Sequence, residues 1–243
     1  MSLLFINYIF LFILPALSCL THKVLDFCQK LLYISDKFDP TMSQLNQTIL
    51  SQAQSLPEGG LLSPKEFLHL GSRAAIDQVL SRLAREGKLL RVGRGAYSSP
   101  VQGRFGIRPP STESVMEALE TSSGELVVPS GASEANALGL TTQVPTRDVY
   151  LTSGPSRKLK FGNREVELKH GNRSQLLLGK SPAGRAIRAL IWLGPEQTTP
   201  IALATLKGKL STQEWEAMRQ ARARLPRWMG LAVSNIEKFP IRK

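Results

Sequence analysis

Cysteine is nearly absent from this chain of 243 residues, and the two that occur, Cys19 and Cys28, both fall within the first 41 positions. Residues 42–243 can therefore form no thiolate metal site, no disulfide and no cysteine nucleophile. A body without disulfides fits a reducing compartment, and the cytoplasm is the expected location. Histidine is scarce too, three in all: beyond residue 41 only His69 and His170 occur, and His170 has no Cys or second His nearby, so no metal site forms from sequence neighbours and no cofactor is expected. Acidic residues number 19 against 31 Lys and Arg, a formal net charge of +12. A surplus this large favours a polyanionic partner, either nucleic acid or an anionic membrane surface. Lys23, Lys30 and Lys37 balance Asp26, Asp36 and Asp39, so the whole excess lies beyond residue 41.

Long apolar runs are missing as well, with one exception. Leu3 to Leu20 is almost uncharged, broken by Asn7, Pro15 and Ser18. Three readings of residues 1–41 stay open: a leader ahead of the true start, a membrane anchor, or a signal peptide. No Lys or Arg precedes Leu3, which a signal peptide normally requires. As a membrane span the run is near the lower length limit and interrupted by Pro15. Met42 opens MSQLNQTILSQ, a plausible start for a soluble domain.

What is present is organised around residues 61–98. Residues 44–55 first predict a helix with Leu45, Ile49, Leu50 and Ala53 on one face, followed by a Pro57–Gly60 loop. Ser63, Pro64 and Glu66 then form a capping box at the start of a short helix that Gly71 breaks. Ser72 can cap a second helix, in which Ile76, Val79, Leu80 and Leu83 make one buried stripe. That helix ends at Gly87. Leu89, Leu90 and Val92 predict a strand, Gly93-Arg94-Gly95 a tight turn, and Ala96-Tyr97-Ser98 a return strand.

Two helices joined by a short turn and followed by a basic hairpin make a winged helix-turn-helix, whose second helix enters the major groove. With the apolar stripe inward, Ser72, Arg73, Ala74, Asp77, Gln78 and Ser81 remain at the outward, N-terminal part of that helix. Arg and Gln suit bidentate readout of guanine and adenine. Lys88, Arg91 and Arg94 supply cations on the wing for phosphate contact. These nine residues are the expected DNA-binding set.

Residues 101–112 are rich in Gly, Pro and Arg and read as a linker. Beyond it come a helix over about 112–121, a strand at 125–129, a small-residue helix at 131–138 and a strand at 148–152. A hairpin follows, 158–161 and 164–169, in strict alternation, with Leu159, Phe161, Val166 and Leu168 facing a core. Helices are expected from Ser181-Pro182 to about Leu193 and from the Ser211–Glu214 capping box to about Leu225, with a final segment holding Trp228 and Met229. The expected fold class is thus α+β: a winged helix-turn-helix at 42–100, a linker at 101–112, and a mixed α/β domain at 113–243.

The second domain carries one arrangement with catalytic character. Asp148 on one strand and Glu167-Leu168-Lys169 on another resemble the Mg²⁺-dependent core of restriction-like nucleases. The plainer account is a solvated strand face whose opposite charges pair, and no enzyme is expected. Arg157, Lys158, Lys160, Arg164, Arg173, Lys180, Arg185 and Arg188 crowd this half and offer an auxiliary nucleic-acid contact.

The runs VLSRLAREGKLLRVGRGAYSSP, VVPSGASEANALGL and RDVYLTSGPSRKLKFGNREVELKH together resemble the AbiEi-type antitoxin and transcriptional-regulator group of type IV toxin–antitoxin systems. The resemblance covers most of residues 44–195. It implies an N-terminal winged helix that binds double-stranded operator DNA and represses its own operon. It also implies a C-terminal domain that counters a nucleotidyltransferase-like toxin without stable contact. By position, Arg73, Gln78, Arg91 and Arg94 match the family's DNA-facing helix and wing. No small-molecule substrate is implied. A membrane-tethered interaction protein anchored through residues 3–20 is the alternative of another class.

Overall fold

A computed structural model describes residues 40–235, so the readings made for the apolar leader lie outside the described residues. The chain is a mixed α+β protein. Helix α1 (Pro40–Ser55) buries Leu45, Ile49 and Ala53, the face its spacing predicts. After it, β1 (Leu61–Leu62) leads into one 3₁₀ turn (Pro64–Phe67). The predicted capping box is formed there: Glu66 Oε1 accepts from the Ser63 N–H at 2.9 Å, and Ser63 Oγ accepts from the Lys65 N–H. Helix α2 (Arg73–Arg85) starts where Ser72 Oγ accepts from the Ala75 N–H, and it buries Ile76, Val79, Leu80 and Leu83. Gly87 turns the chain out of the helix at φ +72, a conformation that only glycine adopts without strain.

Strands β2 (Leu90–Gly93) and β3 (Ala96–Ser98) form the predicted hairpin, with β1 added on the far side of β3. All pairs in this three-stranded sheet are antiparallel. Leu45, Ile49, Leu62, Phe67, the α2 stripe, Leu89 and Tyr97 share one core.

The expected linker is not an open connection. Residues 101–108 fold back as the two-stranded hairpin β4 (Val101–Gly103) and β5 (Gly106–Arg108). Arg108 anchors it by two guanidinium bonds to Glu58, at 2.9 and 3.1 Å. The Gly, Pro and Arg content that suggested a linker marks a tight turn with exposed strands instead.

Helix α3 (Thr112–Ser123) follows, capped by Ser111. Next come β6 (Val127–Pro129), the two-turn helix α4 (Gly131–Ala137), and β7 (Asp148–Thr152). Strands β8 (Arg157–Phe161) and β9 (Arg164–His170) complete a sheet of order β6-β7-β9-β8, in which only β7 and β9 run parallel. Four helices close the described chain: α5 (Pro182–Gln197, kinked at Gly194), α6 (Pro200–Lys209), α7 (Thr212–Gln220) and α8 (Arg227–Asn235). They build a helical core around Ile187, Leu190, Leu206, Trp215, Met218 and Met229. Trp215 is buried here and Trp192 is half exposed. The expected capping box of α7 is half formed. Ser211 caps Glu214, but the Glu214 carboxylate accepts from the Ala183 N–H at 2.9 Å and so caps α5.

Two contacts between segments distant in sequence govern the packing. Val92 of β2 packs with Leu159, Val166, Leu168, Val115 and Leu119, so the first hairpin contributes to the core of the second sheet. At Gly93 a Cβ would lie 3.1 Å from the Leu159 side chain, so β2 runs close along β8. The boundary expected near residue 100 is thus crossed by continuous packing.

The second contact is a buried charge cluster. Glu134 on α4 is almost fully buried and accepts from Arg188 at 2.9 Å and Arg185 at 2.8 Å. Gly131, one turn earlier, lets α4 approach α5 so closely that a Cβ would sit 2.5 Å from the Arg188 carbonyl oxygen. The small-residue pattern GASEANA is thus a contact surface for α5. Breaking a buried pair strands its partner's charge, so Glu134→Ala should lower unfolding free energy by about 3–5 kcal/mol in urea titration. A loss below about 1 kcal/mol would contradict this account.

Glu125 makes a bidentate bond to Arg157 (2.7 and 3.2 Å) and accepts from Thr152, and Arg157 holds its carboxyl below the ordinary value of 4.5. A depressed folded pKa stabilises the fold above the ordinary value, and that contribution is lost as pH falls through the lower folded value. Acid denaturation of Glu125→Gln should accordingly show a shallower decline below about pH 4.5 than the parent chain.

Candidate nucleic-acid interface

The expected set divides by position on α2. Arg73, Asp77 and Ser81 stand at i, i+4 and i+8, one row along the helix, and all three line a cleft of about 910 Å³. The opposite wall is the β2–β3 hairpin, contributing Arg91, Arg94 and Tyr97. Lys65 and Glu66 come from the 3₁₀ turn, and Leu119 with Ser122 of α3 closes one end. Ala74 and Gln78 occupy the adjoining row and are exposed, outside the cleft lining. Ser72 is taken up in capping, and Lys88 pairs with Glu86 at 2.8 Å in the turn after the helix. The structure therefore brings five of the nine residues to one concavity and leaves Ser72, Ala74, Gln78 and Lys88 around it.

The cleft is cationic on balance. Lys65, Arg73, Arg91 and Arg94 face Glu66 and Asp77, and Glu66 is committed to the Ser63 N–H. Arg73 Nε donates to Asp77 Oδ2 at 2.9 Å, with both side chains about half exposed. An exposed i,i+4 pair contributes only about 0.3–0.5 kcal/mol, so Asp77 orients the guanidinium without holding it against a stronger acceptor. Arg91 Nε reaches the Gly93 carbonyl at 3.5 Å, a weak contact that leaves its head group available.

Sequence reasoning missed how far this surface extends. Because β2 lies along β8, Arg91, Lys158 and Lys160 line a second, shallower groove with Gly93 and Gly162. Lys158 also pairs with Glu165 at 2.9 Å. Cations 67 residues or more apart in sequence thus join across the shared core. Alternation within β8 showed that Lys158 and Lys160 share a face, but no local signal placed that face beside the hairpin.

The nuclease-like trio is not assembled. In the parallel β7–β9 register Asp148 neighbours Val166 and Tyr150 neighbours Leu168, the face packed under α3. Glu167 and Lys169 project from the opposite face, where they pair with each other at 3.6 Å. Among the described residues no three His, Cys, Asp or Glu side chains cluster as a metal-binding set. His69 is exposed, and His170 Nδ1 lies 2.9 Å from the Gly154 carbonyl oxygen. Among the described residues no helix is long and apolar enough to cross a membrane.

The arrangement is that of an α+β protein with a basic cleft between a helix row and a hairpin. The chain belongs to the family of unknown function DUF6088, whose pattern matches residues 48–218, from α1 through the cleft and the sheet into α7. A comparison with curated proteins finds no match.

Because the cleft cations are exposed and bear no packing, Arg73→Ala and Arg94→Ala should each change folding stability by less than about 0.5 kcal/mol. Denaturant midpoints check this. A larger loss would mean that these side chains serve the fold.

Proposed function

We propose that this chain is a sequence-specific, double-stranded-DNA-binding transcriptional regulator in which residues 42–100 act as a winged helix-turn-helix. One observation carries the reading: the Arg73–Asp77–Ser81 row and the hairpin cations Arg91 and Arg94 open onto one cleft. A recognition helix must present a polar row beside a cationic wing for base edges and phosphates of one duplex to be met together. Arg73 reads a base edge, with Asp77 fixing the plane of its guanidinium. Arg91 and Arg94 contact the backbone, and Lys158 with Lys160 prolongs that contact along the second groove.

The regulator is of antitoxin type: it represses its own operon from the cytoplasm, and its second domain counters a nucleotidyltransferase-like toxin without stable contact. This part rests on the resemblance of the wing, the GASEANALGL segment and the basic hairpin to AbiEi-type regulators.

Nuclease protection of DNA upstream of the chain's own gene tests the proposal. The full chain should protect a discrete site, and Arg73→Ala should cost about 1–3 kcal/mol and relax preference at one base pair. Arg94→Ala should weaken all sequences nearly equally. Uniform coverage with no protected site, or an Arg73→Ala protein of unchanged preference, would overturn it.

A further inference from the structure

The hairpin β4–β5 lines neither groove and joins none of the buried clusters. Its tip carries Phe105, the most exposed large apolar side chain among the described residues at 104%, and Ile107 follows at 70%. Residues 101–111 hold Arg104 and Arg108 and no acid. Arg108 is tied to Glu58, whereas Arg104 makes no ion pair among the described residues. A bare aromatic ring on a wholly basic arm is complementary to a polyanion that has apolar faces behind its charges. Nucleic acid has that chemistry: phosphates outside and stacked bases within.

The arm is thin at its tip and firm at its root. The last pair of the ladder is Gly103 with Gly106, so no side chain flanks the two-residue turn Arg104-Phe105. Gly106 sits at φ +110, which side chains of L-residues rarely adopt, so this turn depends on glycine. At the root, Glu58 accepts from both terminal nitrogens of Arg108 and, at 2.9 Å, from the Ser111 N–H. The root also abuts the basic surface. A Cβ on Gly162 would lie 2.9 Å from Pro109 Cγ, and Gly162 lines the shallow groove with Arg91, Lys158 and Lys160. Phe105 stands four residues beyond Pro109, so an arm rising about 3.3 Å per residue reaches about 13 Å from the edge of that groove.

We propose that β4–β5 is a second DNA-reading arm, distinct from the winged hairpin, whose tip enters the minor groove and wedges Phe105 between two base pairs. This inference rests on the DNA-binding reading above and extends it. A minor groove about 6 Å wide excludes a helix but admits a tip with no flanking side chains. Arg104 is drawn to the negative potential that deepens where the groove is narrow. Phe105 partly unstacks one step and kinks the duplex, and the bent duplex then touches more of the protein. A second copy of this chain is the poorer occupant of the arm, because both copies carry a net charge of +12 and repel each other.

The test uses the full chain and duplexes of about 30 base pairs tiling the DNA upstream of its own gene, labelled at both ends. Energy transfer between the labels reads bending, anisotropy reads affinity, and sedimentation velocity reads the oligomeric state. The parent chain should bend the duplex it binds most tightly by about 20–90°. Phe105→Ala, at a position that bears no packing, should abolish the bend and weaken binding about tenfold. Phe105→Leu keeps an apolar wedge and should keep most of both, while Arg73→Ala should lose base preference and retain the bend. If the parent binds without bending the duplex, or Phe105→Ala binds and bends it as the parent does, the arm inference falls and the regulator reading stands. If the parent binds none of the duplexes, both fall. If Phe105→Ala turns a dimer into monomers, the hairpin joins copies of the chain and the proposal is overturned.

Discussion

The packing of Val92 against Leu159, Val166 and the α3 stripe is the contact on which the rest of the molecule depends. A wing that merely projected from its helix pair would leave the second sheet as a separate body with its own unrelated surface. Here the strand that carries Arg91 contributes a side chain to the core of that sheet, and Gly93 omits one so that β8 can approach. Two consequences follow. The cations of the hairpin and of β8 join through Arg91, which lines both grooves, and α3 is held where it walls the cleft.

The buried Glu134–Arg188 pair plays the matching part on the other side. Charges out of water are expensive, and such a pair contributes little net stability compared with apolar packing of the same volume. Its effect is positional. It fixes α4 on α5 at the distance that Gly131 permits. Arg185, on the same helix one turn earlier, shares the carboxylate and stays partly exposed.

Much of the fold was legible because its signals are local. The buried stripe of α2, the Ser63–Glu66 box, the exit at Gly87, the β7 segment and the alternation of β8 and β9 all follow from spacing and cap chemistry within about ten residues. What escaped depends on partners distant in sequence. Two-residue β1 exists only as an addition to β3, and α6 carries just Leu203 and Leu206 as buried residues, too few for a clear period. Residues 101–108 have linker composition yet fold as a hairpin tied to Glu58. The role of Glu214 was misread for the same reason, since the backbone it caps lies 31 residues away. For the candidate site, helix periodicity selected Arg73, Asp77 and Ser81 and hairpin chemistry selected Arg91 and Arg94. The contributions of Lys65, Lys158 and Lys160 needed the tertiary fold.

The central claim is that helix row, hairpin and β8 cations engage one duplex together, and the dependence of DNA affinity on salt measures that engagement most directly. Cations that replace condensed counterions on several phosphates make log K fall linearly with log salt, with a slope near −0.9 per phosphate. The account predicts that Arg91→Ala and Lys160→Ala each make the slope shallower by about 1, although the two residues lie on opposite sides of the expected domain boundary. An affinity insensitive to salt, or a slope unchanged by Lys160→Ala, would contradict it.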